Sequence, residues 1–167
     1  MKQSKCYVVA SIEARMGSSR LPNKVLMDIN GKPALSRLLV RLKSCRSIDK
    51  IILATSKNSK DDAIVEWAIQ NSIDYYRGSE NDVLDRITKA HEFFNSDIVV
   101  EICGDMVLLD PSIIDIAINK YKNNDCDLVT TTIKKSYPVG IDAVVLSSNL
   151  LIKLNKLKLS KLYREHP

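Results

Sequence analysis

The residues best suited to chemistry in this sequence follow an apolar run near the N-terminus. The run CYVVASI precedes ARMGSSRLPNK, residues 14–24. This second stretch holds three cations, one glycine and two serines, namely Arg15, Gly17, Ser18, Ser19, Arg20 and Lys24. Close backbone approach at a glycine, guanidinium forks and an ammonium group are together what a triphosphate requires. The spacing alone leaves two interpretations open, a triphosphate-binding loop and a solvated basic loop.

A second candidate lies later in the chain, where Gly104-Asp105 follows another apolar run. A carboxylate at the end of a buried strand can hold Mg²⁺ against phosphate oxygens. The same dipeptide also occurs as an ordinary turn between a strand and a helix. Asp105 is therefore a candidate metal ligand that needs support from the rest of the sequence.

Alternating strand and helix patterns indicate how these residues are positioned. Apolar or β-branched runs predict strands at 7–12, 50–55, 74–76, 97–103, 127–131 and 141–146. Stripes of helical period predict helices over 33–45, 61–71, 81–95 and 111–122. Ser79 with Asp82 has the spacing of a capping box, and Asp110-Pro111 is typical of a helix start. The order predicts an α/β fold with a doubly wound, mostly parallel sheet, whose ligands bind beyond the strand ends.

Composition narrows the class of protein. The 167 residues are 45% hydrophobic, which suits one domain with a core, and no apolar run has the length of a membrane span. The cysteines are scattered without a CxxC pair, which disfavours zinc and disulfides and fits the cytoplasm. The net charge of +5 indicates an anionic partner, but cations clustered in one loop and only 5% aromatic residues disfavour nucleic acid. His91 lies on the apolar stripe of its helix and is interpreted as a packing residue.

The first loop resembles the signature A-R-x-x-S-x-R-L-P-x-K of the cytidylyltransferases that make CMP-activated sugars. The matching residues are Ala14, Arg15, Ser18, Arg20, Leu21, Pro22 and Lys24. The similarity is greatest to the spore-coat-polysaccharide and acylneuraminate-like subgroup, and it continues at IILATSKNSKDD, YRGSENDVLDR, EICGDMVLLDP, YPVGIDAVV and REH. The chain departs from the subgroup at Glu13, where glutamine is usual, and at Val107, where proline is common.

The resemblance implies a Rossmann-like, GT-A-like nucleotidyltransferase fold and a role for each matching residue. Lys24 and Arg20 would be catalytic, and Asp105 would bind Mg²⁺. The nucleotide-binding residues would be Ala14, Arg15, Gly17, Ser18, Arg20, Lys24, Gly78, Ser79, Asp82 and Arg86. Gly140 and Asp142 would contact the sugar. The residues alone leave other roles open, since Ser79 and Asp82 could only cap a helix and Arg86 could pair with Asp82 at i,i+4.

The implied reaction transfers CMP from CTP to a sugar, expected to be a sugar acid, and releases pyrophosphate in the biosynthesis of a cell-surface polysaccharide. Residues 1–167 would form a single cytidylyltransferase domain, with 137–167 contributing to the sugar pocket and to a homodimer. The family's C-terminal part, which carries a second metal-binding aspartate, is expected to lie outside this sequence, so turnover by this chain alone stays open. The alternatives are a nucleotide- or sugar-binding module without turnover and another sugar nucleotidyltransferase. No nucleic-acid or membrane partner is expected.

Overall fold

A single six-stranded sheet organises the chain. The computed structural model describes residues 6–18, 20–134, 137–138 and 140–165. The strands are β1 (Val8–Glu13), β2 (Lys50–Ser56), β3 (Asp74–Gly78), β4 (Ile98–Cys103), β5 (Leu128–Thr130) and β6 (Val144–Ser147). The helices are α1 (Ala34–Leu42), α2 (Asp62–Gln70), α3 (Val83–Phe93), α4 (Pro111–Asn123), α5 (Ser148–Asn155) and α6 (Lys161–Glu165). In the described part of the chain, no helix is both long and apolar enough to cross a bilayer.

The strand order is β3-β2-β1-β4-β6-β5. The first four strands in this order pair in parallel, as expected for strands joined by helical crossovers. Strand β6 pairs antiparallel with both β4 and β5, so β5 runs in the same direction as β4. The predicted α/β fold with a mostly parallel sheet is therefore confirmed, and the insertion of β6 between β4 and β5 is the feature that the sequence pattern did not predict.

One face of the sheet is continuously apolar. Alternate residues of β1, namely Val8, Ala10 and Ile12, join the buried side chains of α1, α2 and α4 in one large cluster. The stripe of α1 that was predicted from its leucines is buried as expected, including Leu35 and Leu38. Burial of this much apolar area supplies most of the favourable free energy of folding.

The opposite face carries α3 and α5 and is divided. Its apolar side chains fall into two smaller clusters, one around Leu84 and Ile87 and one around Val9 and Ile52. Buried polar groups accompany them, namely Ser11, Arg86, Thr88 and His91. His91 is a packing residue, as predicted: its Nδ1 lies 2.8 Å from Ser96 Oγ, and burial lowers its pKa to about 4.

Polar caps begin three of the helices. Asp82 Oδ1 accepts from the Asp85 amide at α3, and Asp110 Oδ1 accepts from the Ser112 amide at α4, whose N1 residue is proline as predicted. Ser147 caps α5 in the same way. The predicted capping box at α3 is wrong in detail, because Asp82 is the N-cap and the Ser79 hydroxyl accepts from the Asp82 amide, one turn earlier.

Candidate active site

A polar cavity of about 480 Å³ lies at the C-terminal ends of β1 and β4. Four separate stretches of sequence meet there, namely the loop after β1, the start of α3, the turn after β4 and the end of α6. The predicted site residues that line it are Ala14, Arg15, Ser18, Arg20, Lys24, Arg86 and Asp105. Because parallel strands end at one edge of a sheet, the loops that follow them are brought together even though they are far apart in sequence.

The loop after β1 is fixed at several points. The Ala14 amide donates to Ala54 O at 3.3 Å, and the Asn23 amide closes the loop on Met16 O at 3.1 Å. The Met16 amide donates to the buried carboxylate of Asp61 at 2.7 Å. Asp61 also accepts from the hydroxyl of Ser56 at the end of β2. A buried aspartate outside the loop therefore holds the cationic loop in position.

Lys24 and Asp105 form an ion pair at the cavity. Lys24 begins a short 3₁₀ turn after the loop, and Asp105 lies in the turn that follows β4. Gly104 makes this approach possible: its amide donates to Glu13 O at 2.8 Å, and a Cβ at this position would lie 2.8 Å from the same oxygen. Valine at position 107, where the family commonly has proline, leaves Asp105 facing the cavity.

The two arginines of the loop differ in their surroundings. Arg15 Nη2 donates to the carboxylate of Glu165 at 3.1 Å, and its Nη1 lies 3.4 Å from Glu80 O. Arg20 is exposed at the cavity rim. Ser18 also lines the cavity, and its hydroxyl accepts from the Leu21 amide at 3.3 Å. The structure thus brings predicted phosphate-binding groups to one wall.

The second predicted motif contributes two residues, Val83 and Arg86, to the cavity lining. Gly78, Ser79 and Asp82 instead contact Arg86 or cap α3. A Cβ on Gly78 would lie 2.8 Å from Arg86 Cγ, and Ser79 O accepts from Arg86 Nη1 at 2.6 Å. Within the described residues, no side-chain hydrogen bond or ion pair joins Arg86 to Asp82; the Asp82 carboxylate instead accepts from Arg164 Nε at 2.7 Å, and the Arg86 amide donates to Asp82 O at 3.1 Å. Gly78, Ser79 and Asp82 are thus in positions to orient Arg86.

Three further predicted residues are not among the described residues that line the cavity: Gly17, Gly140 and Asp142. A Cβ on Gly17 would lie at an ordinary contact distance of 3.8 Å from the Glu80 carboxylate. Gly140 has φ of +90°, a left-handed conformation that favours glycine. Ser19 and His166 of the predicted motifs lie outside the described residues.

Sequence reasoning missed several groups in or beside the cavity. Glu13, noted only as a departure from the family pattern, lines the cavity together with Cys103 and Glu165. Burial raises the pKa of Glu13 to about 8, repulsion from Glu101 adds to the rise, and Arg86 opposes it. Burial also raises the pKa of Glu101 to about 7 and of Cys103 to about 12. The alternation of β1 and β4 could have indicated a shared face for these residues.

The C-terminal helix α6 connects the end of the described chain to the cavity. Arg164 bridges Asp82 and Asn155, with its Nη2 donating to Asn155 Oδ1 at 2.6 Å. The adjacent Glu165 reaches Arg15. Two residues of the predicted REH motif therefore connect α3, α5 and the first loop.

Comparison with known proteins supports the same family. The sequence profile described as cytidylyltransferase matches residues 9–167. A relative from Methanocaldococcus jannaschii named uncharacterized protein MJ1063 is 38% identical, over 95% of this chain and 64% of its own length. The spore coat polysaccharide biosynthesis protein SpsF of Bacillus subtilis is 32% identical, over 93% of this chain and 65% of its own. A 3-deoxy-manno-octulosonate cytidylyltransferase of Trichlorobacter lovleyi is 32% identical, over 70% of this chain and 46% of its own.

A solved structure agrees with the sequence relatives. A cytidylyltransferase from Leptospira borgpetersenii superimposes with a TM-score of 0.88 at 28% identity, over 98% of this chain and 69% of its own. The present chain spans less than two thirds of the length of the curated relatives above. The profile match, the shared fold and the cavity built from the family's motifs lead to one conclusion: the chain belongs to the cytidylyltransferase family.

Proposed function

We propose that this chain forms the nucleotide site of an enzyme that transfers CMP from CTP to a sugar hydroxyl and releases pyrophosphate. One observation carries the proposal: Arg15, Arg20 and Lys24 line the same cavity as Asp105. Cations that surround a polyphosphate, with one carboxylate among them, are the arrangement that phosphoryl transfer uses for positioning and charge stabilisation.

In the proposed reaction, the sugar oxygen attacks the α-phosphorus of CTP in line. A new P–O bond forms to the sugar as the bond to pyrophosphate breaks, and the proton of the hydroxyl is released to solvent. Lys24 would stabilise charge at the α-phosphate, and Arg20 with Arg15 would hold the β- and γ-phosphates. Arg15 is paired with Glu165 in the structure. When CTP binds, the Arg15 guanidinium must therefore be shared between Glu165 and the phosphates.

Asp105 is the carboxylate that we propose for a divalent cation, specifically Mg²⁺. Among the described residues, no cluster of three or more His, Cys, Asp or Glu side chains is placed to hold a metal. The donor set fits Mg²⁺ nonetheless, because this ion is commonly bound through one or two carboxylates with water and phosphate oxygens as its other ligands. When bound, Mg²⁺ would neutralise phosphate charge. Lys24 would help to orient the Asp105 carboxylate, which it contacts in the structure.

The acceptor is proposed to be a sugar acid in a cell-surface polysaccharide pathway. The names of two relatives, a 3-deoxy-manno-octulosonate cytidylyltransferase and a spore coat polysaccharide protein, support this choice. Gly140 and Asp142 keep their proposed place at the sugar, and segment 137–167 keeps its proposed part in a homodimer. The four cysteines are free thiols, which supports the proposed cytoplasmic location.

A second candidate function is nucleotide binding without turnover. It is favoured by the ion pair that occupies both Lys24 and Asp105, and by the single metal-ligand candidate in the described part of the chain. The test is pyrophosphate release from CTP over a panel of sugars and sugar acids, with and without Mg²⁺. Release that depends on both Mg²⁺ and one sugar supports transfer. Binding of CTP without release under all conditions supports the second candidate.

A further inference from the structure

A carboxyl group that the proposed reaction does not use lies at the floor of the cavity. Glu13 is the last residue of β1, and it pairs in register with Cys103 at the end of β4. Its backbone oxygen is held by the Gly104 amide at 2.8 Å, so the residue cannot move far from the turn that carries Asp105. Its side chain lines the cavity next to the predicted phosphate-binding residues. A negative charge there would face the same space as an anionic ligand.

The groups around Glu13 come from every element packed against it. Strand β4 carries Cys103 at the cavity and Glu101 two residues earlier on the same face of the sheet. The other charged groups that line the cavity with Glu13 are Arg15, Arg20, Lys24, Arg86, Asp105 and Glu165. Asp61 and Asp82 act on Arg86 from farther away. Glu13 and Glu101 repel each other when both are ionised, and burial reduces the screening of this repulsion by water.

Arg86 is the counter-charge of this group, and it is incompletely paired. The side chain is 2% exposed, and Nη1 donates to Ser79 O. Its Nε finds no hydrogen-bond partner in the described part of the structure. A buried guanidinium with an unused donor beside a cavity indicates that the site is completed by another group. Within this group of three, two ionised carboxylates and one guanidinium leave a net negative charge, which one bound proton removes.

The titration properties agree with this geometry. The pKa values of Glu13 and Glu101, raised to about 8 and about 7, place the exchange of a proton on this pair close to neutral pH. The Cys103 thiol has its pKa raised to about 12 and stays protonated through this range. The Glu13–Glu101 pair therefore changes charge between about pH 7 and pH 9, and Glu13 is the member of the pair that lines the cavity.

We propose that Glu13 takes up a proton from solvent when a nucleoside triphosphate enters the cavity, so that the floor is neutral in the complex. The inference rests on the proposed function, because it needs a polyanionic ligand at this site. An ionised Glu13 repels phosphate charge across a poorly solvated cavity, whereas a protonated Glu13 does not. Binding and protonation therefore favour each other, and the coupling must be reciprocal.

The test is calorimetric titration of the protein with CTP and Mg²⁺ at pH 7.5, 8.5 and 9.5, in buffers that differ in ionisation enthalpy. The phosphates of CTP have a last pKa near 6, so they contribute little to a change in this range. We expect proton uptake to approach one per CTP above pH 8, and affinity to fall by up to about tenfold per pH unit. The Glu13→Gln variant keeps the shape of the side chain, and its affinity should stay nearly flat with pH.

Glu101→Gln is the matched control, because it removes the neighbouring charge and leaves Glu13 in place. Its affinity should still fall with pH, with the fall beginning at a lower pH than in the wild type if Glu101 repels the ionised Glu13. Thermal melts check that both variants fold, and the wild-type proton count stands as a test even if Glu13→Gln does not fold. Wild-type binding without proton uptake, or undiminished uptake in a folded Glu13→Gln variant, would overturn the inference. Absence of CTP binding at every pH would instead contradict the proposed function.

Discussion

The two faces of the sheet are built for different purposes. The face covered by α1, α2 and α4 is one apolar cluster that runs from β1 to β6. The face covered by α3 and α5 has smaller apolar clusters and holds the buried Arg86 and His91. The first face favours folding, whereas the second carries charge close to the cavity at a cost in stability. Changes on the first face should therefore affect stability, and changes around the cavity should affect ligands and pH response.

The two ends of α3 extend this comparison. Near its start, the Glu13 carboxyl facing Arg86 has its pKa raised to about 8, and near its end His91 has its pKa lowered to about 4. Both shifts have burial as their largest cause, since burial disfavours the charged form of either group. Burial therefore makes stability fall as pH rises, through Glu13, and fall as pH drops, through His91.

The largest effect is expected at the cavity, for Lys24→Ala. Loss of a positioned cation at the reacting phosphate should lower kcat about 10²- to 10³-fold, with a smaller change in CTP affinity. Stability should change little, because a partly exposed ion pair contributes little to folding. Pyrophosphate release measures kcat, and thermal melts measure stability. Lys122→Ala, at the exposed end of α4, is the control and should leave both unchanged. Full turnover by Lys24→Ala would show that Lys24 is not a catalytic residue.

On the apolar face, Leu38→Ala should lower stability and leave CTP binding unchanged. Leu38 is fully buried in α1, and its truncation should lower the free energy of unfolding by about 2–5 kcal/mol. The folded fraction should bind CTP normally, since Leu38 does not line the cavity. Urea unfolding and calorimetry measure these properties. Val40→Ala, in the same helix but 61% exposed, should cost within about 0.5 kcal/mol. Equal losses for both variants would contradict the assignment of the buried face.

Glu13→Gln should change how stability depends on pH. Because the pKa of Glu13 is raised in the folded state, the folded protein binds more protons than the unfolded chain between pH 4.5 and about 8. Wild-type stability therefore falls as pH rises through this window, and the variant lacks that term. Relative to wild type, the variant should gain on the order of 4 kcal/mol between pH 4.5 and pH 9, as measured by urea unfolding. A constant difference between the two proteins would show that Glu13 titrates normally.

The smallest effect is expected at His91. Its pKa is lowered from 6.5 to about 4, so the unfolded chain binds the extra proton first and stability falls as pH drops below 6.5. The loss should be about 1–2 kcal/mol between pH 7 and pH 5, and His91→Gln should remove it. Denaturation at these two pH values checks the prediction. An equally steep acid loss in the variant would place the sensitive group elsewhere.

The sequence predicted the fold well where a repeating pattern reports burial. Alternation and helical stripes located all six strands and α1 to α4 with small shifts at the ends. The antiparallel direction of β6 was not predictable in this way, because an apolar run of strand length carries no information about its direction. The family motif placed Lys24 and Asp105 at one site, and their ion pair fits that placement.

Other parts of the site depend on packing that sequence patterns do not encode. Glu13 and Glu101 share a face only through the register of β1 and β4. The ion pair between Arg15 and Glu165 joins residues at opposite ends of the described chain, through the position of α6 on α3. At α3 the spacing of Ser79 and Asp82 predicted a helix cap, but the N-cap is Asp82 rather than Ser79. The two were confused because a turn before a helix and a capping box contain similar residues.

Nucleotide binding tests the central claim most directly. Calorimetric titration with CTP, UTP, ATP and GTP, each with Mg²⁺, measures selectivity without requiring the correct sugar. We expect CTP to bind most tightly and Arg20→Ala to weaken this binding, because Arg20 supplies positive charge at the cavity rim. Equal affinity for all four nucleotides, or binding of none, would contradict a cytidylyltransferase site in this cavity.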